Sequence, residues 1–312
     1  MKCLKCGSEN EDNVNFCKSC GSPLTSKSNT KLKIAIPIVL IVLIVFGIFT
    51  YIIFIDTSQV EVIQLNNKNP GNIYQNRALA SNIPNSQEVT DVCNAAKSGV
   101  PVYKIGDGSG PVTVICTGIH GDQLSSQVAA LDLIDYLDGR KITGTVYVIP
   151  FAAPGATANN IKLSDGVNLN TVADQPGSSS NDIVNFAISN NASAVGDFHG
   201  TEPGKNPGKT TVMCSQYPTY ESFEIAQKMN IYLGGNTMTY TIAGIAYDGA
   251  VEDVLNLKGI PAVTPLVLSN HGSVNQGSVQ QSLSQMIALL EVNGNIGHST
   301  YDKLANLDID GF

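Results

Sequence analysis

The sequence predicts an α/β domain, three layers around a mostly parallel mixed sheet, joined to a small cysteine module and a single transmembrane helix. Three observations carry this. From Val100 onward, short apolar runs alternate with amphipathic segments, the pattern of strands and helices stacked in layers. Ahead of them, Ile34 to Ile55 form an uncharged apolar stretch. Ahead of that again stand two Cys-x-x-Cys-Gly knuckles.

The knuckles are Cys3-Leu-Lys-Cys6-Gly and Cys17-Lys-Ser-Cys20-Gly. Four thiolates so spaced suit one tetrahedral zinc, and each glycine permits the tight turn beneath the metal. Residues 1–24 resemble a minimal zinc ribbon. Two disulfides or a redox pair are the alternatives, and a reducing cytoplasm disfavours both. The module lacks basic or aromatic density, so its expected partner is a protein rather than a nucleic acid. Cys93, Cys116 and Cys214 form no framework, and Cys116 reads as a small buried hydrophobe in a strand.

Residues 25–33 are a basic juxtamembrane linker, with Lys27, Lys31 and Lys33 leading into the apolar run. Within 34–55 only Pro37, Gly47, Thr50 and Tyr51 interrupt the apolar character. At about 1.5 Å per helical residue such a run crosses the roughly 30 Å hydrocarbon core. No polar face exists for a soluble helix, and a cysteine module in front argues against a cleaved signal peptide. Lysines crowd the near flank, while the far flank opens with Asp56 and has no base until Lys68. The positive-inside rule then puts the N-terminus in the cytoplasm and the main domain outside, anchored in the cell membrane by one pass through the lipid bilayer. The net charge is −8, yet residues 1–33 set six lysines against Glu9, Glu11 and Asp12. The exported part is therefore acidic, which excludes nucleic acid as its partner.

Residues 56–95 read as a stalk. The amide-rich run Gln64-Leu-Asn-Asn-Lys-Asn-Pro-Gly-Asn-Ile-Tyr-Gln-Asn76 has turn formers and little periodicity, with room for a short helix within 78–96. Asn191-Ala-Ser193 is the sole N-glycosylation acceptor of the exported part.

In the main domain, residues 96–312, strands are expected at 100–105, 111–117, 144–150, 193–198, 210–215, 238–243 and 261–268. Helices are expected at 124–138, 181–190, 219–231, 250–258 and 278–292. The first of these has apolar residues at 124, 128, 131, 134 and 137, a helical stripe. Ligands of such sheets collect beyond the C-terminal strand ends. Two histidines fall there. Val114-Ile-Cys-Thr-Gly-Ile-His120-Gly-Asp-Gln123 is a buried strand delivering His120 at its end, with Gln123 three residues on where a helix begins. Val195-Gly-Asp197-Phe-His199 closes another strand, with Asp197 on the same face and able to orient an imidazole.

These residues resemble the zinc carboxypeptidase superfamily, most closely its succinylglutamate desuccinylase/aspartoacylase branch, over roughly residues 100–295. The resemblance implies a zinc-carboxypeptidase-like fold and a second zinc held at His120, position 123 and His199. Asp165-Gly-Val-Asn168-Leu-Asn170-Thr171 matches the family's Asp-x-Asn-Arg segment, which implies substrate contacts from Asn168 and Asn170. Tyr247-Asp-Gly-Ala-Val-Glu-Asp253 resembles the loop and helix start before the last core strand. Gly259-Ile-Pro-Ala-Val-Thr-Pro-Leu266 matches the strand that carries the general-base glutamate.

Three departures remove charge that the chemistry uses. Gln123 stands at the ligand glutamate, Thr171 at the substrate-clamping arginine and Leu266 at the catalytic glutamate. An amide oxygen does not neutralise zinc, and leucine cannot accept a proton from zinc-bound water, a role typically worth ~10²–10⁴-fold. Without the arginine, a substrate carboxylate loses its fork-shaped partner. Asp122 or Glu202 can bring a carboxylate near a metal only if their loops fold inward; for Glu202 the plainer reading is a solvated loop residue. Tyr247 can act as a phenolic acid or oxyanion donor, or simply anchor its loop. Lys205 and Lys209, in the glycine-rich loop after His199, can replace the missing positive charge or lie in solvent. His271 and His298 lack metal-ligand company and read as structural or surface histidines.

Two functions follow. One is a membrane-anchored zinc hydrolase cleaving an amide in a peptide or acylated amino acid. The other is a non-catalytic cleft binding a peptide, a wall component or an acylated amino acid, or serving as a scaffold linked to the cytoplasmic ribbon.

Overall fold

The computed structural model describes residues 1–24, 43–44, 59–235 and 237–297. They belong to two units, Met1–Ile55 and Asp56–Phe312. The transmembrane expectation for 34–55 lies outside the described residues apart from Leu43 and Ile44. No helix among the described residues is long and apolar enough to cross a membrane.

In the first unit each knuckle closes on itself. Gly7 N–H donates to Cys3 O and Gly21 N–H to Cys17 O, both glycines at positive φ. The two turns bring the four sulfurs together, with Cys3 and Cys17 buried.

The second unit is built on one nine-stranded sheet. Its strands are β1 (Gln59–Asn66), β2 (Val100–Gly106), β3 (Val112–Cys116), β4 (Thr145–Ile149), β5 (Ala194–Asp197), β6 (His199–Thr201), β7 (Thr211–Tyr217), β8 (Thr237–Ile242) and β9 (Ala262–Leu268). The order is β1-β2-β4-β3-β5-β9-β7-β8, with β6 also paired to β9. The centre, β4-β3-β5-β9, is parallel, and so are the β6–β9 and β7–β8 pairs. The β1–β2, β2–β4 and β7–β9 pairs are antiparallel. The expected mixed, mostly parallel sheet is what forms, within a residue or two at most strand ends.

Strand alternation feeds two separate cores. Ile115, Val146 and Val148 face one side with Tyr103, Val212 and Val263, where helices α2 (Gln87–Ala95), α3 (Leu124–Leu137), α6 (Tyr220–Tyr232) and α8 (Gln276–Val292) pack. Val114, Cys116, Tyr147 and Ile149 face the other, under α4 (Pro154–Ala158), α5 (Ser179–Ser189) and α7 (Val251–Leu257). Three layers result because residues one apart on a strand point to opposite faces. Helix α3 differs from the expected one-sided stripe. Its first two turns are buried all round, Ser125, Ser126 and Gln127 included, because α8 and the loops flanking the sheet enclose them.

The stalk expected at 56–95 is instead part of this unit. β1 pairs along most of β2, and Ile73, Leu79, Val89, Val92 and Cys93 are fully buried in the first core. Short α1 (Arg77–Ala80) is capped by Asn76, whose Oδ1 accepts Leu79 N–H and whose Nδ2 donates to Thr157 O. The amide-rich run that reads as loop supplies buried hydrogen bonds in place of apolar periodicity.

At the N-terminal ends of the parallel strands the sheet is sewn together by amides. Asn295 Nδ2 donates to Pro111 O and Thr143 O, its Oδ1 accepts from Thr113, and Asn293 Nδ2 donates to Thr113 Oγ1 and Ser193 Oγ. The C-terminal ends stay open and hold the cleft.

Candidate active-site cleft and zinc centre

His120 is placed by the turn between β3 and α3. Gly118 there adopts φ +73°, and a side chain on Gly121 would run into the backbone of Ala156, Thr157 and Ile161 at 2.3–2.6 Å. Only glycine permits that approach. Gln127, one helical turn on, donates towards the carbonyls of His120, Gly121 and Gln123 and accepts from Thr157 Oγ1 at 2.9 Å. His199 opens β6, in register beside Leu266 of β9.

Between the two histidines lies the carboxamide of Gln123. Its Oε1 accepts Gly200 N–H at 3.0 Å and His199 Nδ1–H at 2.8 Å. A backbone N–H can only donate, so that end of the amide is the oxygen. The other end, Nε2, donates to His120 Nδ1 at 3.1 Å and stands 3.5 Å from His271 Nε2. His120 therefore carries its proton on Nε2 and donates to Asn168 Oδ1 at 2.9 Å. Burial first, and the neighbouring His199 second, push the His120 pKa down to about 3, so the ring is neutral. Asp197 lies behind His199, its Oδ2 3.0 Å from Nε2, at an angle outside hydrogen-bond geometry.

The residues open a cleft of about 530 Å³, and the expected site residues divide around it. His120, Gln123, Asn170, His199, Glu202, Lys205, Tyr247 and Leu266 line it. Asn168 holds His120 from behind rather than lining the space. Thr171 does not line it either: its hydroxyl donates to Asn168 O. Lys209 is likewise off the lining, whereas Lys162, which the sequence did not single out, is on it. Tyr247 belongs to a loop pressed against Thr171, where a side chain on Gly249 would meet Thr171 O at 2.6 Å.

Two further residues escaped the sequence reading. Glu252, at the start of α7, lines the cleft at 4% exposure; Ser215 N–H and Asn256 Nδ2 both bond to its Oε1. Burial raises its pKa to about 7. An acidic residue set within Ala-Val-Glu-Asp-Val-Leu was the available signal. His271, expected as structural or surface, faces the cleft from the loop after β9. Gly272 N–H donates to Asp122 O at 2.7 Å and Asn275 N–H to Ser125 Oγ at 3.1 Å, which ties that loop to the His120 turn.

The zinc implied at His120, Gln123 and His199 does not fit that trio. None of the three side chains supplies the negative charge of a carboxylate ligand, and an amide hydrogen of Gln123 fills the lone pair of His120. Asp122 and Glu202 do not convert the trio into a carboxylate site, since only the four cysteines converge as metal-ligating groups among the described residues.

The ribbon site fits zinc. Cys3 and Cys20 sulfurs are 3.8 Å apart and Cys6 and Cys17 sulfurs 3.5 Å. A tetrahedron with arms of about 2.3 Å has edges of about 3.8 Å. A backbone N–H of Ser19 lowers the Cys17 pKa to about 6, favouring the thiolate that zinc requires.

Residues 2–24 match the family model of a zinc-ribbon domain. No curated protein matches the chain. Among solved structures, an aspartoacylase family protein from Mesorhizobium loti is similar with a TM-score of 0.51 at 18% identity, covering 63% of this chain and 62% of that one. A succinylglutamate desuccinylase from Silicibacter sp. TM1040 gives 0.52 at 20%, covering 63% and 61%. Bovine thrombin-activatable fibrinolysis inhibitor, in complex with tick carboxypeptidase inhibitor, gives 0.52 at 12%, covering 82% and 96%. The likeness is one of fold. The chain spans about three fifths of the length of the two bacterial proteins.

Proposed function

We propose that the cleft binds an amide-containing ligand, the end of a peptide, a wall component or an acylated amino acid, and that family-type general-base hydrolysis is lost. The observation that carries this is the pairing of His199 with Leu266. The position beside the histidine, where the resemblance calls for a proton acceptor, lines the cleft with an apolar side chain. Polar groups suited to an amide line it as well: Asn170 and Tyr247. Calorimetric titration of the full chain with N-acetyl amino acids and short peptides tests the reading. Saturable binding weakened by Asn170→Ala, with no product by chromatography, supports it. Release of free amino acid by the wild-type chain overturns it.

One observation favours hydrolysis instead. Glu252 is a buried carboxyl facing the same cleft, with a pKa matched to proton transfer near neutrality. If Glu252 is that acceptor, turnover is present in the wild type and disappears in Glu252→Gln.

In this proposal residues 34–55 anchor the chain as a single pass, with the ribbon cytoplasmic and the cleft outside. Lys31 and Lys33 on one flank and Asp56 on the other support that orientation. The ribbon then offers its surface to a cytoplasmic protein.

A further inference from the structure

The two edges of the sheet are finished differently. At one edge, β1 carries Glu61, paired with Lys104 at 3.3 Å, and its pairing with β2 breaks register between Gln64 and Asn66. Charge and bulges are the devices that keep an edge strand from taking up another strand. At the other edge β8 ends the strand order, with β7 on one side and, among the described residues, no strand on the other. Its sequence, Thr237-Met-Thr-Tyr-Thr-Ile242, holds no charge and no proline, and it runs in register with β7 from Thr237 to Thr241. Tyr240 and Ile242 are 57% and 49% exposed. Helix α6 packs mainly over β7, so β8 projects past it. Above the strand lies a groove of about 460 Å³, lined by Met238 and by Glu224, Lys228 and the exposed Ile231 of α6. This edge shares no residue with the cleft.

We propose that two copies of this chain join through β8, antiparallel and with Thr239 on the two-fold axis, into one continuous sheet. Strand side chains alternate, so Met238, Tyr240 and Ile242 share the face towards α6, where the Tyr240 ring stands 5.4 Å from that of Phe223. Thr239 faces the other way, its hydroxyl 3.4 Å from that of Thr211. An axis through Thr239, perpendicular to the sheet, sets Met238 of each copy against Tyr240 of the other and Thr239 against its own equivalent. Apolar–aromatic and Thr–Thr neighbours are the cross-strand pairs that stabilise a sheet. The strand is thus its own complement, as a two-fold interface requires. The charges agree with that axis. Glu224 and Lys228 stand one helical turn apart on the groove and take part in no ion pair among the described residues. The axis runs α6 antiparallel to its copy, so Glu224 of each chain comes to face Lys228 of the other across the groove. Pairing also gives the outward N–H and C=O groups of β8 their partners.

The test is the oligomeric state of the full chain in a mild detergent, read by sedimentation equilibrium. The wild type is expected to be a dimer. Tyr240→Lys sets a cation against Met238 of the copy and is expected to weaken the dimer by roughly tenfold or more. Adding Met238→Glu to Tyr240→Lys is expected to restore it, because the axis places these two positions opposite each other, and the restored dimer should weaken in high salt. Glu224→Lys should weaken association and Glu224→Lys with Lys228→Glu should recover it. Directly opposed residues of antiparallel strands have Cα atoms about 4.5–5.5 Å apart, a span a disulfide bridges. Mild oxidation of Thr239→Cys is therefore expected to give a covalent dimer on a denaturing gel, and Ile188→Cys on α5 none. Unchanged circular dichroism shows that each variant is folded, and recovery in the double variants shows it again. A monomeric wild type at micromolar concentration overturns the proposal, leaving the edge to some other strand. So does a dimer that persists in Tyr240→Lys while Thr239→Cys stays unlinked, since it is then held together elsewhere.

Discussion

Gln123 Oε1 accepts hydrogen bonds from both His199 Nδ1 and Gly200 N, at 2.8 and 3.0 Å, and so fixes which end of its carboxamide faces His120. One side chain thereby sets the tautomers of two histidines, one on the turn after β3 and one opening β6. Gln123→Glu breaks this logic, since a carboxylate cannot donate to His120 Nδ1. The His120 ring is then expected to take up a proton and titrate nearer the ordinary histidine range, as followed by its ring-proton shifts in NMR. An unmoved titration argues against the amide arrangement.

Restoring both lost carboxylates is a second test. Gln123→Glu with Leu266→Glu, loaded with zinc, is expected to create amidase activity on N-acetyl amino acids that the single variants lack, by the ~10²–10⁴-fold that a general base contributes. No gain would mean that Leu266 does not occupy the base position.

Glu252 makes stability depend on pH. Its pKa is raised to about 7 in the folded state against 4.5 for the ordinary side chain, so between these values the folded chain binds more protons than the unfolded one. Stability contributed by this group is therefore present at low pH and falls as pH rises from about 4.5 through 7, by on the order of 3 kcal/mol. Urea denaturation at several pH values should show a flatter profile in Glu252→Gln over that window.

Gly121 has no room for a Cβ, with Ala156 C at 2.3 Å. Gly121→Ala is expected to destabilise the domain by about 1–3 kcal/mol or more and to displace His120, read as a lowered denaturation midpoint. Gly139→Ala, with nothing near its Cβ position, costs only the strain of its positive φ.

The ribbon should lose its metal without loss of the sheet domain. Cys17→Ser is expected to remove the thiolate-bound zinc and leave the main thermal transition unchanged, because the two units have separate interiors. Protease added to intact cells checks the topology: protection of residues 59–297 would contradict their external placement.

The fold was legible where periodicity is strong. Every expected strand and helix of 100–292 forms, because apolar runs bounded by turn residues have few alternatives in a layered domain. Residues 59–95 were misread because β1 and the following helices carry amides at positions that hydrogen-bond inside the fold, and polarity there mimics a linker. At the site, His120 and His199 are visible as strand-end residues. His271 and Glu252 are not, since what brings them to the cleft is loop-to-loop bonding: Gly272 to Asp122, Asn275 to Ser125, and Asn256 to Glu252. A linear pattern holds no trace of such contacts.

The clasp of Asn293 and Asn295 gives the molecule a division of labour. It secures the start of β3 and the approaches to β3, β4 and β5, at the opposite end of the sheet from the cleft residues. Anchorage and chemistry thus draw on different ends of the same strands. A lineage can exchange residues at positions 123, 171 and 266 without loosening what keeps the strands aligned. The architecture is free to outlive one chemistry and to host another.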